Sequence, residues 1–177
     1  MILSNHLGVH TISKQMVFQG VTIAQQALID YWKRLRDKAG CVPRDAIDPG
    51  ELRSMLASIS IVQFDDSGDG RFRIAGSRLR DIFGKEARGR RVADVIGEHG
   101  DAFSLGLSVA LERRAPVGGV IEQADGMHAW LRLPLMDSSG HLTMVLCHDE
   151  LLASRRLVVP NGGQTGAVHN SSPRAAA

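Results

Sequence analysis

Cysteine is scarce in this chain: of 177 residues only Cys41 and Cys147 carry thiols, far apart and in no CxxC pair. That spacing excludes a zinc ribbon, a thioredoxin-like motif and a disulfide framework, and leaves the reduced thiols of a cytoplasmic protein as the expectation. An excess of one charge is also missing. Lys and Arg number 21 against 19 Asp and Glu, so no whole-chain field would draw the protein to nucleic acid or to a membrane. No apolar run nears the roughly 20 residues of a membrane helix. The start, "MILSNHLGVHTISKQ", lacks the basic residues and apolar stretch of a signal peptide. The seven histidines fall in no HxH or HExxH spacing, so no metal site is expected.

What is present is a chain 44% hydrophobic, enough for one core and one domain. Residues 1–20 show no period and read as a loose lead-in. From Val21, the spacing of Ile23, Ala27, Leu28, Tyr31, Trp32 and Leu35 predicts an amphipathic helix, flanked by Lys33, Arg34, Arg36 and Lys38 and stopped at Gly40. Asp48 as cap, Pro49 and Glu51 predict a short helix through about Ala57, with Leu52, Met55 and Leu56 inward. "SISIVQFD" and "RFRIAG" alternate as two strands about the turn "DDSGDG", with Phe72 and Ile74 on one side and Arg71 and Arg73 on the other. Ser77 can cap a helix whose Leu79, Ile82 and Phe83 share a face, ended by Gly84. A turn or two around "RRVADVIGEHGDAF" leads to a longer helix, roughly Asp101 to Arg113, and then to three strands, "VGGVIEQA", "MHAWLRLPL" and "HLTMVLCHDE". Beyond Arg156 the tail is small, polar and rich in Pro and Gly, and reads as disordered over 156–177. Without a βαβ alternation the class is α+β with an antiparallel sheet.

The blocks "YWKRLRDKAGCVPRDAIDPGEL" (31–52), "FRIAGSRLRDIFGKEARGRRVADV" (72–95) and "LRLPLMDSSGHL" (131–142) resemble a PAS-like family abundant in alphaproteobacteria, long known only as a domain of unknown function. The resemblance runs from about Ala27 to Leu151, within a single domain over 21–155. It implies a five-stranded antiparallel sheet in the order 2-1-5-4-3, with short helices over one face and the amphipathic helix at the N-terminus. It also implies a sensor or adaptor of bacterial signalling, usually a homodimer, that binds a small apolar or mixed ligand, partner proteins, or both. A ligand-free interaction module is the alternative. No length remains for a kinase, cyclase or DNA-binding domain.

The basic stretch at 71–91 invites sharper readings. Lys85 is followed by Glu86 and no glycine stands at the earlier position, so this is not a phosphate-binding loop of the G-x-x-x-x-G-K-[ST] kind. Phe72 and Phe83 belong to apolar faces, which removes the exposed aromatics a nucleic-acid surface needs. A solvated rim is the plain reading. Lys85, Arg88, Arg90 and Arg91 still make a possible rim for an anionic group, since guanidinium forks suit phosphates and carboxylates.

The pocket is read from strand register. A tight hairpin at "DSSG" sets Met136 opposite His141, Leu133 opposite Met144, Leu131 opposite Leu146 and Ala129 opposite His148. Trp130 then opposes Cys147, and Arg132 opposes Val145, on the other side. Taking the Leu/Met side as the helix-covered one gives a pocket lined by Phe72, Ile74, Leu79, Phe83, Leu131, Leu133, Met144 and Leu146, with His148 at its edge. His148 is then either a ligand contact or a strand-end histidine bonded to backbone. The opposite face, with Trp130, Val145 and Cys147, is too apolar to stay wet. Tyr31 and Trp32 of the first helix are expected to cover it and, with Trp130, to form the dimer face.

No cofactor is expected. Neither cysteine has the context of a flavin photosensor, and His99 alone resembles a haem ligand. Proton-transfer catalysis of the ketosteroid-isomerase kind needs a carboxylate inside an apolar cavity. Glu122 and Asp125 are expected at an exposed edge, the single tyrosine lies on the first helix, and only a pocket carboxylate beside a Tyr or His would reopen that case.

Overall fold

The computed structural model describes residues 20–36, 40–97, 100–123 and 126–153. The lead-in up to residue 19, the tail over 156–177, Lys38, His99 and Asp125 lie outside the described residues.

Helix α1 spans Ile23–Leu35, and its N-cap Thr22 accepts a bond from the Gln25 N–H at 3.2 Å. Its buried residues are Gln25, Leu28, Ile29, Tyr31 and Trp32, so the stripe is rotated from the expected one. Gln25, Leu28, Ile29 and Trp32 stand at i, i+3, i+4 and i+7, which turns Ala27 outward and leaves Ile23 92% exposed. The helix expected from Asp48 does not form. Asp48 Oδ1 does accept from the Gly50 N–H at 2.7 Å, but the chain continues as turns and closes in a 3-10 turn at Leu56–Ser58. A glycine in the first turn weakens any helix there.

Strands β1 (Ile59–Phe64) and β2 (Gly70–Ala75) form the hairpin. Helices α2 (Leu79–Phe83), α3 (Val92–Ile96) and α4 (Gly100–Arg113) follow, then β3 (Val117–Gln123), β4 (Gly126–Leu135) and β5 (Met144–Ala153). Gly84 ends α2 at φ +69°, the left-handed conformation that favours glycine. The strands make one antiparallel sheet in the order β2-β1-β5-β4-β3, which is the PAS order.

Each face of this sheet carries a core. Leu131, Leu133, Leu135, Met144 and Leu146 pack with Ile59 and Ile61 against Leu28, Ile29 and Trp32 of α1. Val62, Phe72, Val145 and Cys147 pack on the other side against α2, α3 and α4. The expected assignment of faces is therefore reversed: the Leu/Met side lies under α1, and the Val145/Cys147 side lies under the three later helices. The Trp32 indole fixes the α1 side, donating from Nε1 to the Pro134 carbonyl at 2.9 Å.

The β4–β5 register also differs, by two residues. Leu135 opposes Met144, Leu133 opposes Leu146 and Leu131 opposes His148. The loop is wider than a tight hairpin because Asp137 organises it: Oδ1 accepts from the Ser139 and His141 N–H groups at 2.8 and 3.0 Å, and Oδ2 from Thr143 Oγ1 at 2.7 Å. An even shift preserves which residues share a side. In β2 that parity breaks. Ile61 pairs with Ile74 but Val62 pairs with Phe72, so a bulge falls between them.

Candidate functional site

The space between the sheet and helices α2 to α4 is where a pocket was expected, and it is filled. Phe103 of α4 stands edge-on to Phe83, ring centroids 5.5 Å apart, and 5.9 Å from Phe72. Gly106 brings α4 onto the sheet: a Cβ there would sit 2.9 Å from Trp130 Cζ3. The enclosed space among Phe103, Ile121, His128, Trp130 and Arg132 is about 10 Å³, too little for more than one water.

A charge network occupies the middle of this layer. Arg132, Asp149 and His128 are at most 2% exposed. Arg132 donates through Nη2 to Asp149 Oδ1 at 2.8 Å and through Nη1 to Oδ2 at 3.1 Å, with a further bond from Nη1 to the Leu131 carbonyl at 2.8 Å. His128 Nε2 lies 2.8 Å from Asp149 Oδ1. The guanidinium lies 4.2 Å from the Phe103 ring centroid and 5.5 Å from that of Trp130, a cation–π arrangement in a desolvated setting. Burial pushes the Asp149 carboxyl up, but the Arg132 charge and the bonds from His128 and Arg132 outweigh it and hold it below the usual carboxylate range. Burial lowers Arg132, yet Asp149 leaves it above its ordinary value. Arg132 Nε and His128 Nδ1 are buried without hydrogen-bond partners.

Of the expected pocket residues, Phe72, Leu79 and Phe83 line this layer. Leu131, Leu133, Met144 and Leu146 do not, because they belong to the α1 face. Ile74 is carried to that same side by the bulge and is 40% exposed. His148 shares the Leu146 side, buried, with Nδ1 unpartnered, and burial lowers its pKa despite Asp149 and Glu150. Tyr31 and Trp32 are spent within the protomer: Tyr31 accepts from the Asp48 N–H at 2.7 Å, and both rings are buried. They form no free dimer face, and Trp130 lies across the sheet from them. In the basic rim, Arg91 pairs with Asp69 and Lys85 bonds the Asp94 carbonyl at 3.2 Å, while Arg88 and Arg90 stay exposed.

An open cleft of about 320 Å³ lies between α2 and the distal part of β5. Arg78, Asp81 and Ile82 line it from the helix side, and Asp149, Glu150 and Leu151 from the strand. Glu150 Oε2 is shut off from solvent with no hydrogen-bond partner. Asp149 thus belongs both to the cleft and to the buried network.

Sequence reasoning missed His128, Arg132 and Asp149 as a group, although the signal was present. Three ionisable residues interrupt two apolar strands at positions of one parity set, and the observed register makes them diagonal neighbours. Asp149 beside His128 is the carboxylate–histidine pair that would reopen a catalytic reading. Its chemistry opposes one, since a carboxylate held low by a bidentate guanidinium is a weak base. Glu122 is exposed, as expected.

Against known proteins, residues 21–124 match the family model described as "PAS domain". No curated protein matches the chain. Among solved structures, the PAS domain of histidine kinase ThkA is 15% identical, with a TM-score of 0.41, 52% of this chain covered and 97% of that one. A PAS domain from Colwellia psychrerythraea is 16% identical, with a TM-score of 0.40 and coverages of 61% and 100%. A fungal LOV domain photoreceptor is 21% identical, with a TM-score of 0.39 and coverages of 54% and 75%.

Proposed function

The chain belongs to the PAS domain family, and from that premise we propose that it is a signalling sensor or adaptor that takes its input at the cleft beside Asp149 and passes it on by protein contact. One observation carries this reading: the wall of the open cleft includes Asp149, itself shielded from water, whose carboxylate is bonded to Arg132 and His128 inside. A group arriving in the cleft acts on the interior by shifting that wall. The domain class is typically sensory rather than catalytic, in keeping with a carboxylate unsuited to proton abstraction.

The filled layer bears on what is sensed. The packing of Phe103, Trp130 and Arg132 leaves about 10 Å³ in that layer, which supports an input at the surface cleft instead. A cytoplasmic setting and homodimerisation belong to the same proposal. Among the described residues no helix is long and apolar enough to cross a membrane.

A second reading, a ligand-free interaction module, is favoured by a different feature. Val120 and Met127, 42% and 41% exposed, stand on the α1 side of the sheet where α1 leaves β3 and β4 uncovered. Native mass spectrometry of the purified chain, with light scattering for oligomeric state, separates the two. A retained or stabilising small molecule supports the sensor. A dimer that binds none, and loses self-association on Met127→Glu, supports the interaction module.

A further inference from the structure

The cleft between α2 and β5 has a chemistry of its own, and we infer that it is a binding site for a small zwitterion with an apolar side chain, of the α-amino-acid class. This deepens the sensory reading and rests on it. Arg78 on the helix side is a fork for a carboxylate, and Asp81 beside it is an acceptor for an ammonium group. Among the described residues, the ion pairs are Arg34–Glu51, Arg91–Asp69, His128–Asp149 and Arg132–Asp149. None uses Arg78 or Asp81, so unlike charges share the cleft without an ion pair between them. A ligand carrying both charges meets both. A ligand with one charge leaves the other unmet.

Two further features fit such a guest. Ile82 and the 46% exposed Leu151 supply an apolar strip beside the charges. The backbone contributes as well. Thr143 accepts through its carbonyl from the Phe64 N–H, so the odd residues of β5 turn their polar groups toward β1. Strand β1 starts at Ile59, opposite His148, and Leu151 beyond it turns its N–H and C=O to the cleft. The volume, about 320 Å³, is at the small end of ligand sites.

Calorimetry on the full chain tests this with L-leucine, L-leucinamide, which keeps only the ammonium group, and 4-methylpentanoate, which keeps only the carboxylate. Leucine should bind saturably with a Kd of about 1 mM or tighter, and each single-charge analogue at least about tenfold more weakly. Arg78→Gln and Asp81→Asn, both at exposed positions, should each weaken leucine binding by about tenfold. The inference is overturned if either analogue binds as well as leucine. It is also overturned if both variants bind leucine like the parent, or if none of the three probes saturates up to about 10 mM. Should the purified chain retain some other small molecule while leucine fails to bind, the site assignment falls and the sensory reading stands.

Discussion

Arg132→Met is the sharpest test of the buried network. The variant keeps most of the side chain's bulk but removes the bonds at 2.8 and 3.1 Å to Asp149, a residue fully shielded from water. His128 is then its remaining side-chain partner. Removing one partner of a buried ion pair costs about 3–5 kcal/mol, a large share of a stability of roughly 5–15 kcal/mol. At about 2–4 °C per kcal/mol for a chain of this size, the melting temperature should fall by about 6–20 °C. Urea denaturation gives the free energy directly. The double variant Arg132→Met/Asp149→Leu removes the stranded charge and should recover most of the loss.

The pH dependence adds a sign. In the parent the Asp149 pKa is lowered, so its contribution is fully present above the unfolded value near 3.8 and is lost as pH falls through the folded value below it. In Arg132→Met the carboxyl is buried without its cation and its pKa moves up. Protonation then relieves the variant first, and the gap between parent and variant should narrow from neutral pH toward pH ~4. A loss under about 1 kcal/mol, or a gap that widens on acidification, would refute the network as described.

Four other outcomes follow from the packing. Trp32→Ala should cost about 3–5 kcal/mol by chemical denaturation yet leave the gel-filtration profile unchanged, because the ring is buried within the protomer. Gly76→Ala puts a Cβ 2.3 Å from the carbonyl oxygens of Leu56 and Ala57; backbone cannot yield as a side chain does, so circular-dichroism melts should show a loss of at least about 1–3 kcal/mol. Burial pushes the Cys147 thiol up to about 12, so peptide mapping after iodoacetamide at about pH 8 should find it unlabelled in the native protein and labelled after denaturation. His148 has a lowered pKa, so its contribution is present above about 6.5 and lost as pH falls through its folded value; parent stability should drop over that range more than that of His148→Gln.

Strand identity and parity were legible in the sequence because alternation survives any even register shift. Leu131, Leu133, Met144 and Leu146 do share a side, as their spacing required. Which side faced which helices was not legible. Both faces are apolar, Leu and Met on one and Val145, Cys147 and Trp130 on the other, and only a long-range bond such as Trp32 to Pro134 decides between them. The Ile74 error has a local cause, since no period reports a bulge. The charge network was hidden by the same reversal: Arg132 on a supposed outer face reads as an ordinary surface cation. The cleft combines α2 with the far end of β5, distant in sequence, and no motif marks it.

Strand β5 runs on to Ala153, whereas its neighbour β1 stops opposite His148. A bare strand end of that kind, carrying the exposed Leu151, is a template on which another copy could add and so propagate a ribbon. The overhanging α2 and its exposed Asp81 stand where such an addition would begin. A charge beside an open edge opposes pairing with a second strand, so Asp81→Asn should lower the solubility limit measured by light scattering.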